Sequence, residues 1–327
     1  MDKMLSRLSA LFLLAGALAA PSVCAQSRLA DIKARGHLTC AAFARPGLAW
    51  QAGSGWKGLY PDICQAIAVA AFGSDAKIEF EAIDLPKDNT ALNSGSFDVL
   101  FLTEPEIAET SLARKVAPGP AAFFETYAVM VEDDSTAKTP EDLAGAPVCF
   151  HEADAASQAF EERLDRNGKS FVAMPFQEDV ELLDAYNSRH CKAVASEATD
   201  LIGLRRRKGV NHFDSKILAE PLAVFPILTA TPIGDPQWTA AVSWVVHFLH
   251  AAERPQTRLR PGGAKAISLD LTALGLEKSW RENILATVGD YGAIYARNLG
   301  DKSPFKLPRG VNASWSGGGL FAPPTAE

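Results

Sequence analysis

The chain has 327 residues, 47% of them hydrophobic, and a formal net charge of −7. That length exceeds what one ordinary core fills, so two lobes are expected. The acidic balance argues against nucleic acid as a partner. Beyond the N-terminal region, no stretch approaches the roughly 20 apolar residues that a membrane-spanning helix needs.

Lys3 and Arg7 form a basic start, and Leu8 to Ala20 is apolar and uncharged. Pro21 ends that run, and Val23-Cys24-Ala25 offers small residues for cleavage. Residues 1–25 therefore read as a secretory signal peptide cleaved after Ala25, which implies a periplasmic location. The rival reading is a lipidated Cys24, for which Val23 is a poor preceding residue.

The mature region alternates strands and helices. His37 to Phe43 reads as a short apolar strand. Pro61 to Phe72 carries Ile63, Ile67, Ala70 and Ala71 at helical spacing, and Lys77 to Ile83 alternates like a strand. Thr90 to Ser94 reads as a short helix ended by Gly95, and Phe97 to Leu102 as a buried strand. The rhythm returns with a strand at Pro147 to Phe150, a helix from Ala155 to Asn167 closed by Gly168, and a strand at Phe171 to Pro175. A helix at Asp179 to Ser188 and a strand at Ala193 to Ala195 complete it. Two βαβ units predict two mainly parallel sheets flanked by helices. Such sheets bind ligands at the carboxyl ends of their strands, which here places a site between the lobes.

Removal of Cys24 with the signal leaves Cys40, Cys64, Cys149 and Cys191. An even number in an exported chain reads as disulfides, with three pairings open. Cys40–Cys64 with Cys149–Cys191 keeps each bridge inside one half of the sequence and is the expected pairing. No CxxC or HxxxH spacing suggests a metal, and no cofactor motif is found.

Several blocks resemble the general L-amino-acid binding proteins of ABC transporters, in solute-binding protein family 3. They are Leu29-Ala30-Asp31-Ile32-Lys33-Ala34-Arg35-Gly36, Gly55-Trp56-Lys57-Gly58-Leu59-Tyr60-Pro61-Asp62-Ile63-Cys64 and Leu92-Asn93-Ser94-Gly95-Ser96-Phe97-Asp98-Val99-Leu100. The C-terminal stretches Trp280 to Asn298 and Leu307 to Pro323 resemble a tail of the general amino-acid subfamily that shorter relatives lack. The resemblance implies a type II periplasmic binding protein fold, two α/β lobes joined by a two-strand hinge. Residues 27–125, completed by 226–327, would form lobe 1, and 133–219 lobe 2. The crossings would lie near 126–131 and 220–225, and closure about them would signal to an inner-membrane ABC permease.

The same resemblance locates the ligand site and shows where this chain departs from it. The family arginine that clamps a ligand carboxylate, in a loop after the strand at Asp98, falls at Thr110. A family aspartate before Cys64 becomes Tyr60, and the acid that pairs with a ligand amine falls at Glu197. Glu152 and Asp154 stand in the second-lobe loop, Asp154 reading equally as a helix N-cap. Arg45 is a candidate replacement cation, Trp50 and Tyr60 are core residues or aromatic cleft walls, and Thr103 begins the loop that holds Thr110. Glu104, Glu106 and Glu109 read as a solvated face. A small polar ligand, amino-acid-like or amine-like but not a standard amino acid, is the expectation that follows.

Enzyme readings find little support, with no G-x-S-x-G elbow and no phosphate-binding glycine loop. His247 and His250 lie one turn apart, and packing or exposure explains them better than metal binding. Glu152, Asp154 and Glu197 would be the acid–base candidates of a lyase or hydrolase on this fold. A ligandless accessory or sensor protein is the remaining alternative.

Overall fold

The structure, a computed structural model, describes residues 27–83, 96–112, 115–152, 155–206, 214–254, 257, 259–262 and 268–322, with side chains left out at 109–112. The signal region, the helix expected at Thr90 to Ser94, and Asp154 lie outside the described residues.

Most of the parallel strands follow apolar runs, and the one at Ile78–Ala82 follows an alternating one. β1 (Leu38–Ala42), β4 (Ile78–Ala82) and β5 (Val99–Thr103) form one parallel set, and β7 (Pro147–His151), β8 (Val172–Phe176) and β9 (Ala193–Glu197) a second. Two long strands, β6 (Val116–Glu132) and β11 (Ala223–Pro232), run antiparallel between them. The continuous order is β4-β1-β5-β11-β6-β9-β7-β8, with β10 (Ser215–Ile217) added on β6. β6 pairs with β11 from Val116 to Tyr127 and with β9 from Tyr127 to Val131, so Tyr127 stands at the handover. A separate hairpin, β2 (Trp50–Ala52) and β3 (Gly55–Lys57), hangs off the first set.

The cores follow the strand alternation. On β6, Val129 and Val131 enter a cluster with Val148, Phe150 and Phe160, while Ala128 and Met130 enter the opposite one with Leu182, Leu183 and Tyr186. The first lobe is larger. Its helix α2 (Leu59–Phe72) is buried on most sides, so it packs between the sheet and the helices that follow β11. Helix α1 (Arg28–Arg35) buries Leu29 and Ile32 and is pinned by Asp98, whose buried carboxylate meets Arg28, Arg35 and the backbone N–H of Thr39.

Helix α3 (Glu104–Leu112) corrects the expectation of a loop after β5. The cause is a reciprocal cap. Glu106 N–H donates to the Thr103 hydroxyl at 3.4 Å, and Thr103 N–H donates to the Glu106 carboxylate at 2.7 Å. Glu106 is consequently held at a helix start, partly buried, and is not part of a solvated face. In the second lobe, α4 (Ala155–Asp165), α5 (Asp179–Asn187) and α6 (Ala198–Leu204) cover the sheet.

After β11 the chain returns to the first lobe through α7 (Pro236–Ala252), α8 (Trp280–Thr287) and α9 (Tyr291–Asn298). His250 of α7 is buried and stacks on Phe321 with ring centroids 3.7 Å apart, and burial pushes its pKa down to about 3. The final segment then spans both lobes. Arg205 and Arg206, just beyond α6, donate to the carbonyls of Phe305 and Pro304. The Asn312 side-chain amide bonds both the N–H and the C=O of Phe124 on β6, each at 2.8 Å. Arg309 makes a two-pronged pair with Glu253 and lies over Tyr291 and Tyr295.

Cys40–Cys64 ties β1 to α2, and Cys149–Cys191 ties β7 to the turn before β9, one bridge in each lobe. Replacing both cysteines of either bridge by serine should lower the unfolding free energy by about 2–5 kcal/mol, read by urea denaturation of the oxidised protein. An unchanged midpoint would show that the bridge adds nothing to the fold.

Candidate ligand cleft

The carboxyl ends of β1, β5 and β9 converge beside the crossing strands. Past β1 the chain turns sharply, with backbone bonds between Arg45 and Ala49 in both directions. Gly47, at φ 78°, makes the turn, and a Cβ there would lie 2.2 Å from Leu299. Tyr60 N–H donates to Leu48 C=O at 2.9 Å, which locks this turn to the start of α2. The sequence thus places Arg45 and Tyr60 side by side, although fifteen positions separate them.

Arg45 reaches across to the second lobe. Its Nη1 lies 3.2 Å from Glu197 Oε1 at the end of β9 and 3.7 Å from Asp200 Oδ2 on α6. Burial opposes the guanidinium charge, but Glu197, Asp200 and Glu125 outweigh it and hold Arg45 above its ordinary range. Glu197 is raised, first by burial and then by Asp200, against the pull of Arg45. Beneath this cluster stands Glu125 on β6, 1% exposed. Its oxygens accept from the Thr199 hydroxyl of α6 and from Thr126 N–H at 2.9 Å. Burial nonetheless pushes its pKa up to about 7.

Arg45, Tyr60, Phe101, Thr103 and Glu106 line one small inner cavity. Tyr60 stacks flat on Phe101 with centroids 4.5 Å apart, and its buried hydroxyl has no hydrogen-bond partner among the described residues. Burial, and then the Glu125 charge, pushes that hydroxyl well above its ordinary pKa. Trp50 lines a separate outer groove, which it shares with Arg45. Thus Arg45, Tyr60, Thr103 and Glu197 gather around one centre and Trp50 lies just outside it. Glu152 is exposed, accepts from Gln177 Nε2 at 2.7 Å and lines neither cavity. Thr110 lies on α3, with its side chain outside the described residues. Glu125, Thr199 and Asp200 were not singled out from sequence. A lone acid in the apolar run Ala121-Ala122-Phe123-Phe124-Glu125-Thr126-Tyr127-Ala128-Val129 was the available signal for Glu125. Among the described residues, no group of three His, Cys, Asp or Glu side chains is arranged to hold a metal.

Two α/β lobes, two crossing strands and a charged cleft at the strand ends define the type II periplasmic binding protein fold. A Brucella ovis ABC transporter periplasmic binding protein, solved with glutathione bound, is 28% identical, with a TM-score of 0.73 over 92% of this chain and 99% of that one. General L-amino acid-binding periplasmic protein AapJ of Rhizobium johnstonii is 29% identical over 325 residues, 93% of this chain and 94% of that protein. The glutamate/glutamine/aspartate/asparagine-binding protein BztA of Rhodobacter capsulatus is 26% identical over 324 residues, 91% of this chain and 93% of that protein. The chain is therefore a relative, along nearly its whole length, of the family 3 periplasmic solute-binding proteins of amino-acid ABC transporters. No family model matches it.

Glu125 supplies a pH test. Its folded pKa of about 7 lies above the ordinary 4.5, so the folded protein holds this proton more tightly than the unfolded chain does. The resulting stability is full below the ordinary value and is lost as pH rises through about 7. Glu125→Gln, which mimics the protonated form, should remove that loss. Between about pH 5 and pH 8, the wild-type unfolding free energy should fall by about 2–4 kcal/mol more than that of the variant, measured by denaturant titration. Parallel pH profiles would assign the carboxylate an ordinary pKa.

Proposed function

We propose that this protein is an exported solute-binding subunit of an amino-acid-type ABC transporter. It captures a small polar, amine-bearing molecule between its lobes and presents the closed form to a membrane permease. The observation that carries this reading is the Arg45–Glu197–Asp200 cluster, which joins the lobes across the cleft. Residues 1–25 are the export signal, removed after Ala25, and among the described residues no helix is long and apolar enough to cross a membrane. Lobe 1 comprises 27–125 and 226–327, lobe 2 comprises 133–219, and closure bends the crossings near 126–131 and 220–225.

The charge balance sets the ligand class. Glu197 and Asp200, with Glu125 below, face the cation Arg45. An incoming ammonium competes with Arg45 for the two acids, and a buried charge must keep a partner throughout this exchange. Arg45, once displaced, is free to take a carboxylate or another acceptor of the ligand. Thr110, in place of the family arginine, offers one short hydroxyl and no charge, so ordinary amino acids lose their usual clamp. The relatives named for amino acids and the one holding glutathione support a ligand of this size and polarity.

Titration calorimetry with amino acids, polyamines and glutathione tests the reading. Standard zwitterionic amino acids should bind more weakly than about 1 μM, the −8.2 kcal/mol mark. Glu197→Gln should weaken an amine ligand by about tenfold or more, the scale of 1.4 kcal/mol. Arg45→Ala separates the roles, because it should tighten an amine that lacks a carboxylate, such as putrescine, and weaken a ligand that carries one. Small-angle scattering with the bound ligand should show compaction. Silence across the whole set would favour a ligandless accessory protein.

A further inference from the structure

The outer groove beside the cleft is built from three separated parts of the chain. Trp50 and Trp56 come from the β2–β3 hairpin of the first lobe, Gly203 and Arg206 from α6 and the residues just after it, and Phe305 from the C-terminal segment. Trp50 meets Phe305 edge-on with ring centroids 5.6 Å apart. The Arg206 guanidinium lies 5.9 Å from the Phe305 ring centre while one nitrogen donates to Pro304 C=O at 2.7 Å. The walls are thus aromatic, and an exposed cation stands at the rim.

Arg45 lines this groove and the inner cavity alike, so the two spaces share one side chain as their partition. Below the groove the lobes approach closely, since a Cβ at Gly203 would lie 2.7 Å from the Pro46 ring. Any occupant therefore touches both lobes and the tail at once. A site built only for a single amino acid has no use for an aromatic trough on the far side of its cation.

We propose that the groove is a second subsite of the cleft, which receives the body of a short peptide whose amine end is held at Glu197 and Asp200. The inference rests on the reading of the cleft as an amine-binding site and extends it to a peptide-sized ligand. The aromatic faces cover the apolar part of the second residue. Arg206 at the rim complements a terminal carboxylate. Displacement of Arg45 from its acids opens the partition through which the peptide passes.

The test compares L-lysine with the dipeptide Lys-Phe by calorimetry on the full mature chain. Lys-Phe should bind the wild type at least tenfold more tightly than lysine. Trp50→Ala and Phe305→Leu should each cut that ratio at least fivefold, while Trp50→Phe keeps most of it. Far-UV circular dichroism and melting temperature confirm that each variant is folded. Lys-Phe should also change the tryptophan emission of the wild type, with the change reduced in Trp50→Phe. Equal affinity for the two probes, or a ratio that survives both Trp50→Ala and Phe305→Leu, overturns the proposal and leaves the amine site standing. If neither probe binds, the proposal falls together with the reading on which it rests.

Discussion

Charges removed from water must be compensated where they stand, and in this protein a cluster of them stands where the lobes meet. Glu125 sits on the strand that passes from one lobe to the other, bonded to Thr199 on the far side. Arg45 comes from the first lobe and its acids from the second. The Arg45 pairs with Glu197 and Asp200 and the bond from Thr199 to Glu125 all cross between the lobes, so separating them breaks several charged contacts at once. The cleft is held by electrostatics that any ligand has to match or replace.

The backbone makes this economical. Both lobes use the same arrangement of three parallel strands followed by an antiparallel strand, and the long strands supply that last member to each. β6 is a neighbour of β11 in one half and of β9 and β10 in the other. The hinge proposed above would turn about the handover at Tyr127, where β6 passes from β11 to β9, and would change the distance between Arg45 and Glu197.

Much of this architecture was legible in the sequence. Apolar runs bounded by turn residues marked β1, β5, β7 and β9 to within two residues, because parallel strands buried on both faces need unbroken apolar stretches. The cysteine pairing, which kept each bridge inside one half of the sequence, is the one present. The site was legible only in part. Arg45, Tyr60 and Glu197, which the structure brings close together, were singled out, two of them through resemblance and Arg45 as a cation in the loop after β1. The reach of Arg45 to Asp200 and the bond from Thr199 to Glu125 depend on contacts between distant segments that no local pattern encodes. The segment after β5 was expected as a loop because the resemblance placed one there, yet it is helical: Pro at the second helical position costs no hydrogen bond and Glu106 completes the cap. Phe305 carried no local signal, since its place beside Trp50 depends on where the tail is laid down.

That tail bears on the mechanics of the hinge proposed above. Two adjacent strands alone form a flexure that can bend and also twist. Here a third span starts from α9, is gripped by Arg205 and Arg206 of the second lobe, and is fastened to β6 through Asn312. A third attachment adds resistance to torsion that two adjacent strands alone lack. In the hinge proposed above, such a span would reduce lobe movement toward a single degree of freedom, as in a door on two spaced hinges. A narrower open ensemble would give up less orientational entropy on closing, so part of the ordering needed for the proposed capture would be built into the empty protein.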